Sequence, residues 1–204
     1  MNPFALRLRD GFLRQLILIA SAMAALTACN SPEPWHAKDI SGLMPDLSFT
    51  LTDTQGQTVH GTNYRNQILL VYFGYTHCPD VCPMTLARLS SALNKIGPAA
   101  QHVRVLFVTV DPARDTPDLL RRYAHYFGPQ FIALRGTDAQ LQSFTKHYRV
   151  TYSRGEPNAH GDYPVSHSNA VFVFDGDGRA RLLIRSDESV DAIAADLSRL
   201  VAAR

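Results

Sequence analysis

The amino-acid sequence predicts an α/β fold: a central mixed β-sheet flanked by helices, ending in a β-hairpin and a C-terminal helix. Three observations carry that expectation. Residues 68–73 and 103–110 are short, almost wholly apolar runs rich in β-branched and aromatic side chains, as in strands covered on both faces. Segments with helical spacing alternate with such runs. Asp175-Gly176-Asp177-Gly178 lies between two further apolar runs and reads as a hairpin turn.

In chain order, the first residues read as a targeting segment. Arg7, Arg9 and Arg14 form a positive start, and residues 16–26 are an apolar stretch too short to span a bilayer comfortably. Leu26-Thr27-Ala28-Cys29 resembles the lipobox of bacterial lipoproteins, which implies removal of residues 1–28 and acylation of Cys29. An ordinary signal peptide or an uncleaved anchor is the alternative. Each reading exports the rest of the chain, and the lipoprotein reading leaves it anchored to a membrane and facing the bacterial periplasm. Loss of residues 1–28 removes three arginines and one aspartate and takes the formal net charge from +2 to 0. A balanced chain gives no support to nucleic-acid binding or to polybasic membrane docking.

Residues 29–45, with Pro32, Pro34 and Gly42, read as a flexible tether, and residues 46–204 as one domain long enough for a sizeable core. Leu47-Ser48-Phe49-Thr50-Leu51 alternates like a strand, and a turn over residues 53–56 leads to a second short strand near residues 58–60. After the run at 68–73 the spacing of Met84, Leu86, Leu89, Leu93 and Ile96 is helical, and Pro83 suits its first turn. Past the run at 103–110, a loop over residues 111–117 supplies Thr116 as an N-cap and Pro117 as the first helical residue. Leu119, Leu120, Tyr123 and Phe127 mark that helix, which Gly128-Pro129 stops. A short strand over 131–134, a helix over about 138–148 and a polar, Gly- and Pro-rich loop over 152–166 follow. A strand over 170–174, the turn, a returning strand over 181–184 and a helix over about 188–201 complete the chain. A thioredoxin-like arrangement fits this order of elements.

The chemistry is concentrated in Phe73-Gly74-Tyr75-Thr76-His77-Cys78-Pro79-Asp80-Val81-Cys82-Pro83. Two cysteines with three residues between them stand where a central strand stops and a helix starts. Unpaired helix N–H groups and the positive end of the helix dipole favour a thiolate there. With Cys29 carrying lipid, Cys78 and Cys82 are the remaining pair among three cysteines. In an oxidising compartment such a pair is ordinarily a structural disulfide. Closing so short a loop constrains the unfolded chain little, however. A functional pair is the better reading, one that bridges reversibly or holds a soft metal ion.

The same stretch, taken from Tyr72, resembles the signature of the Sco/SenC family. Two further blocks agree in order and spacing: Val110-Asp111-Pro112-Ala113-Arg114-Asp115-Thr116-Pro117, and Val165-Ser166-His167-Ser168 ahead of Phe172-Val173-Phe174-Asp175-Gly176-Asp177-Gly178. The resemblance runs from about residue 47 to the C-terminus. It implies a thioredoxin-like fold that binds one copper ion through two cysteines and a distant histidine, here Cys78, Cys82 and His167. It also implies a role in assembling the dinuclear copper centre (CuA) of cytochrome c oxidase, with the copper-acceptor subunit of that oxidase as partner. A periplasmic copper donor or a thioredoxin-like reductant would be further partners. Ser166 stands where many members carry an acidic residue, and Met44-Pro45 replaces a common Gly-Gly.

Two thiolates and an imidazole suit Cu(I) and can also accept Cu(II). Structural zinc would want a fourth protein ligand, and none is obvious. Two functional classes follow: a metallochaperone that passes copper on by ligand exchange, and a thiol–disulfide oxidoreductase that reduces the acceptor's cysteines. The His167 block favours the first, since a pure reductase needs no imidazole across the site. A peroxidase reading lacks its Pro-x-x-x-Thr-x-x-Cys context. His77 and Asp80 are read as electrostatic neighbours of the thiols, and His160 as a solvated loop residue rather than an auxiliary ligand. His36, His60, His102, His125 and His147 show no grouping. Asp111, Arg114 and Asp115 are read first as a cap and salt-bridge cluster fixing their loop, and Tyr72, Phe73 and Tyr75 as core and rim.

Overall fold

The computed structural model describes residues 33–160 and 162–204. The expected targeting segment, residues 1–28, and Cys29 lie outside the described residues. Within them no helix is long and apolar enough to cross a membrane.

The strands are β1 (Lys38–Asp39), β2 (Thr50–Asp53), β3 (Thr58–His60), β4 (Ile68–Gly74), β5 (Val103–Thr109), β6 (Phe131–Arg135), β7 (Tyr152–Arg154), β8 (Val165–His167), β9 (Val171–Phe174) and β10 (Ala180–Ile184). The helices are α1 (Val81–Ile96), α2 (Pro117–Phe127), α3 (Asp138–His147) and α4 (Val190–Ala202). Eight strands form one sheet in the order β1-β10-β9-β4-β5-β6-β2-β3, and β7 and β8 form a separate pair. β4, β5 and β6 run parallel, while β9 lies antiparallel on the other side of β4, so the sheet is mixed as expected.

The apolar runs explain its centre. All seven residues of β4 are buried, and β5 is buried except at Arg104. Alternation along β4 sends Phe73 and Tyr72 to opposite faces. Phe73 packs with Phe144 of α3 and Phe172 of β9. Tyr72 packs with Phe107, whose ring meets Tyr123 of α2. Each such side chain removed from water contributes about 1.5–3 kcal/mol. The helix ends follow local rules: Thr116 accepts from the Leu119 N–H, Thr137 forms a capping box with Gln140, and Ser189 accepts from Ala192. The turn of the β9–β10 hairpin uses Gly178 at φ +80°.

Three expectations need correction. The tether read over residues 29–45 is docked from Trp35 onward. Lys38 and Asp39 pair with β10. The buried Asp196 carboxylate accepts the N–H groups of His36 (3.1 Å) and Ala37 (2.8 Å), and the Arg199 guanidinium lies 4.0 Å over the Trp35 ring. The folded unit therefore begins ahead of residue 46. The strand read over 47–51 shifts to Thr50–Asp53, because the Leu47 N–H donates to Gly178 O instead of to a neighbouring strand. α1 starts at Val81, and Pro83 stands in its first turn as expected. The loop over 152–166 contains β7 and the start of β8, paired antiparallel with Tyr152 opposite His167.

Candidate metal centre

β4 ends at Gly74, whose carbonyl accepts the Val110 N–H (2.8 Å), so the chain leaves the sheet beside β5. Cys78 follows on the connecting loop, partly buried, with its N–H on Tyr75 O (3.3 Å). Cys82 sits in the first turn of α1 and is fully buried. That turn lacks a side-chain cap from Asp80, and the Cys82 N–H donates to the Cys78 sulfur at 3.4 Å. Cys78 thus satisfies one of the helix's unpaired N-terminal donors.

His167 arrives on β8, 85 residues from Cys82 in sequence, and brings Nε2 to 3.3 Å from the Cys82 sulfur. Its Nδ1 lies 3.0 Å from Ser168 O. A carbonyl only accepts, so Nδ1 carries the proton and Nε2 presents its lone pair to the thiols. Tyr72 and Tyr75 hold the imidazole edge-on, with ring centroids at 6.0 and 5.8 Å. One ligand atom from each of Cys78, Cys82 and His167 lies within 4.8 Å of the others, the one such cluster of metal-ligating side chains among the described residues.

Burial governs the protons. It pushes the Cys82 thiol up to about 12 and holds His167 below the usual histidine value. The metal-free pair at neutral pH is therefore a Cys82 thiol beside a neutral imidazole. The thiolate expected at a helix N-terminus does not form at Cys82, because desolvation outweighs the dipole. A soft cation entering the cluster would displace the Cys82 proton and meet an imidazole already free to bind.

The loop over residues 109–116 braces the site. Asp115, fully buried, accepts the Thr76 hydroxyl (2.6 Å), the Thr76 N–H (3.1 Å) and the Thr109 hydroxyl (2.5 Å). Asp111, also buried, accepts Arg114 Nε (2.5 Å) and the Tyr163 hydroxyl (2.8 Å). The cap and salt-bridge reading of Asp111, Arg114 and Asp115 therefore describes their contacts. His77 is half-exposed, with Nδ1 3.5 Å from Asp115 and 3.2 Å from Thr76 Oγ1, and stands outside the cluster. Asp80 and His160 are exposed. Thr76, Thr109 and Tyr163 were not singled out by sequence reasoning. Thr76 lies within the signature stretch, but its role, like those of Thr109 and Tyr163, is selected only by proximity in the fold.

Gly74 explains how close the elements approach. A Cβ there would lie 2.8 Å from the Cys82 sulfur and 2.8 Å from Phe107 Cε2. Gly74→Ala is expected to cost about 1–3 kcal/mol through overpacking and to displace Cys82. Thermal unfolding and copper titration of the variant check this, and full stability with native copper affinity would refute it.

A family model described as SCO1/SenC matches residues 42–202. The mitochondrial SCO2 homolog of Mus musculus is 36% identical over 94% of this chain and 80% of its own length. The copper-bound structure of Bradyrhizobium japonicum ScoI superposes with a TM-score of 0.69 at 35% identity, over 76% of this chain and 98% of that one. The solution structure of apo Sco1 from Thermus thermophilus gives a TM-score of 0.74 at 34% identity, over 83% and 99%.

Proposed function

Because the chain belongs to the SCO1/SenC family, we propose that it is a copper metallochaperone that holds one copper ion on Cys78, Cys82 and His167. The observation that carries this reading is the convergence of two sulfurs and an oriented imidazole within 4.8 Å. The donor set matches Cu(I) and can accept Cu(II). Three protein ligands leave a position open, so an incoming thiolate can bind before a resident ligand leaves. The partly buried Cys78 is the more exposed of the two sulfurs and the natural thiolate to exchange, while Cys82 and His167 retain the ion until transfer is complete.

In the cell this chemistry would serve assembly of the dinuclear copper centre of cytochrome c oxidase. The oxidase's copper-acceptor subunit would be the partner, with a periplasmic donor or reductant upstream. Acylation of Cys29 after removal of residues 1–28 would anchor the chain as a membrane lipoprotein facing the periplasm.

A second activity is favoured by the unequal burial of two free cysteines. The Cys78 thiolate attacks a disulfide of the acceptor, one sulfur of that disulfide leaves as thiolate, and a mixed disulfide forms. Cys82 then gives its proton to the released thiolate and displaces the second sulfur. The acceptor is reduced by two electrons, and Cys78–Cys82 becomes the disulfide. Reduction would prepare the acceptor's cysteines to receive copper.

Anaerobic titration of the reduced protein with Cu(I) against a competing chelator tests the primary reading. One-to-one binding is expected, with affinity rising at least about tenfold per pH unit between pH 7 and 9. The sign follows from Cys82: its thiol stays protonated through this range and must release a proton to bind metal, whereas His167 is already neutral. A pH-independent affinity would remove Cys82 from the metal site.

A further inference from the structure

We propose that Tyr163 is the positioning residue that sets His167 against the cysteine pair, acting through Asp111. The proposal rests on the reading of His167 as a copper ligand. His167 is carried by β8, which pairs only with β7 and lies outside the main sheet. Two strands of three residues are marginal on their own, so the placement of the imidazole depends on what else holds this flap.

Three polar contacts hold it on the side of the metal centre. The Val165 N–H donates to the Tyr75 hydroxyl at 3.4 Å, a long bond. The Tyr163 hydroxyl donates to Asp111 Oδ1 at 2.8 Å, a short bond to a fully buried carboxylate. The Arg114 guanidinium, bound to the other oxygen of Asp111, lies 3.7 Å from the centre of the Tyr163 ring, within cation–π range. Arg154 of β7 adds a contact to Asp111 Oδ1 at 3.7 Å.

The same loop ends at Asp115, which binds Thr76 on the segment that carries Cys78. Residues 109–116 therefore fix both halves of the metal centre to one rigid piece of chain, Cys78 through Thr76 and His167 through Tyr163. A metal ligand must be held within about 0.5 Å of its productive place to contribute fully. Tyr163 supplies the shortest of the three contacts on the histidine half. Removing its hydroxyl leaves Asp111 paired with Arg114 and Arg154, so the fold is retained while the flap keeps only the longer Val165 and Arg154 contacts and is held less tightly.

The test is a double-mutant cycle. Tyr163→Phe and His167→Ala are made singly and together in the full chain, and Cu(I) affinity is measured by chelator competition alongside thermal unfolding. Tyr163→Phe is expected to lower affinity about tenfold, the lower end of the loss found for groups that orient a metal ligand. In the His167→Ala background it is expected to change nothing. The His167 ring resonances of the metal-free protein should broaden or multiply in Tyr163→Phe. Unchanged affinity, or an equal loss in both backgrounds, overturns the positioning role. If His167→Ala itself leaves affinity unchanged, the ligand reading fails instead, which separates the two.

Discussion

Cys82→Ser is expected to abolish tight copper binding and complete thiol–disulfide exchange in one step. A thiolate is exchanged for a hard, neutral hydroxyl that Cu(I) does not favour. If three ligands share a binding free energy of the order seen in structural metal sites, about 12 kcal/mol, the loss of one is about 4 kcal/mol, or roughly a thousandfold in affinity. The fold should survive, because the hydroxyl can donate to His167 Nε2 as the thiol does now. Exchange chemistry fails differently. Cys78 alone can attack a disulfide but has no partner to resolve the product, so Cys82→Ser should accumulate a mixed disulfide. Cys78→Ser should lose copper to a similar degree and form no mixed disulfide. Chelator competition and mass spectrometry after incubation with a small aromatic disulfide read both effects. Copper affinity within tenfold of the unmodified protein in Cys82→Ser would end the two-thiolate model.

What sequence alone could and could not reveal follows from the range of each interaction. β4, β5, the β9–β10 hairpin and the Thr116 cap are written in neighbouring residues, through apolar runs, turn glycines and a hydroxyl three residues from its donor. Those elements appear where the pattern places them. β1 is invisible to such rules, since its two residues pair with Leu182 and Leu183, and the residues just ahead of it, Trp35 to Ala37, are held by Asp196 and Arg199, all from the other end of the chain. The β7–β8 pair is polar and broken by Gly155 and Pro164, which is loop composition by any local measure. The start of α1, by contrast, is local, with Pro83 in its first turn as the pattern places it.

The site divides along the same line. Cys78 and Cys82 are a local signal. His167 joins them across 85 residues and was named only through the resemblance of its block to a family. The protonation of Cys82 could not be read at all. A helix N-terminus and a buried pocket shift a thiol in opposite directions, and which prevails depends on an exposure of 0% that only the fold reveals.

His167→Ala separates the two activities that Cys82→Ser removes together. The imidazole contributes a ligand to copper but no atom to the exchange of disulfides. Loss of a group that merely orients a ligand costs about 10- to 100-fold in metal affinity, so loss of the ligand itself should cost at least about a hundredfold. Thiol exchange should stay within about threefold, since it depends on the sulfurs and on their access. A change in the unfolding temperature would not mimic this pattern, because general destabilisation weakens both activities. The pH dependence supplies an independent check. Cys82 still has a proton to release in the variant, so the slope of affinity against pH should persist while the whole curve drops. If affinity instead stays where it was, the two sulfurs bind the metal unaided, and the thiol–disulfide reading takes precedence. The reduction potential of the Cys78–Cys82 pair would then decide which acceptors the protein can reduce.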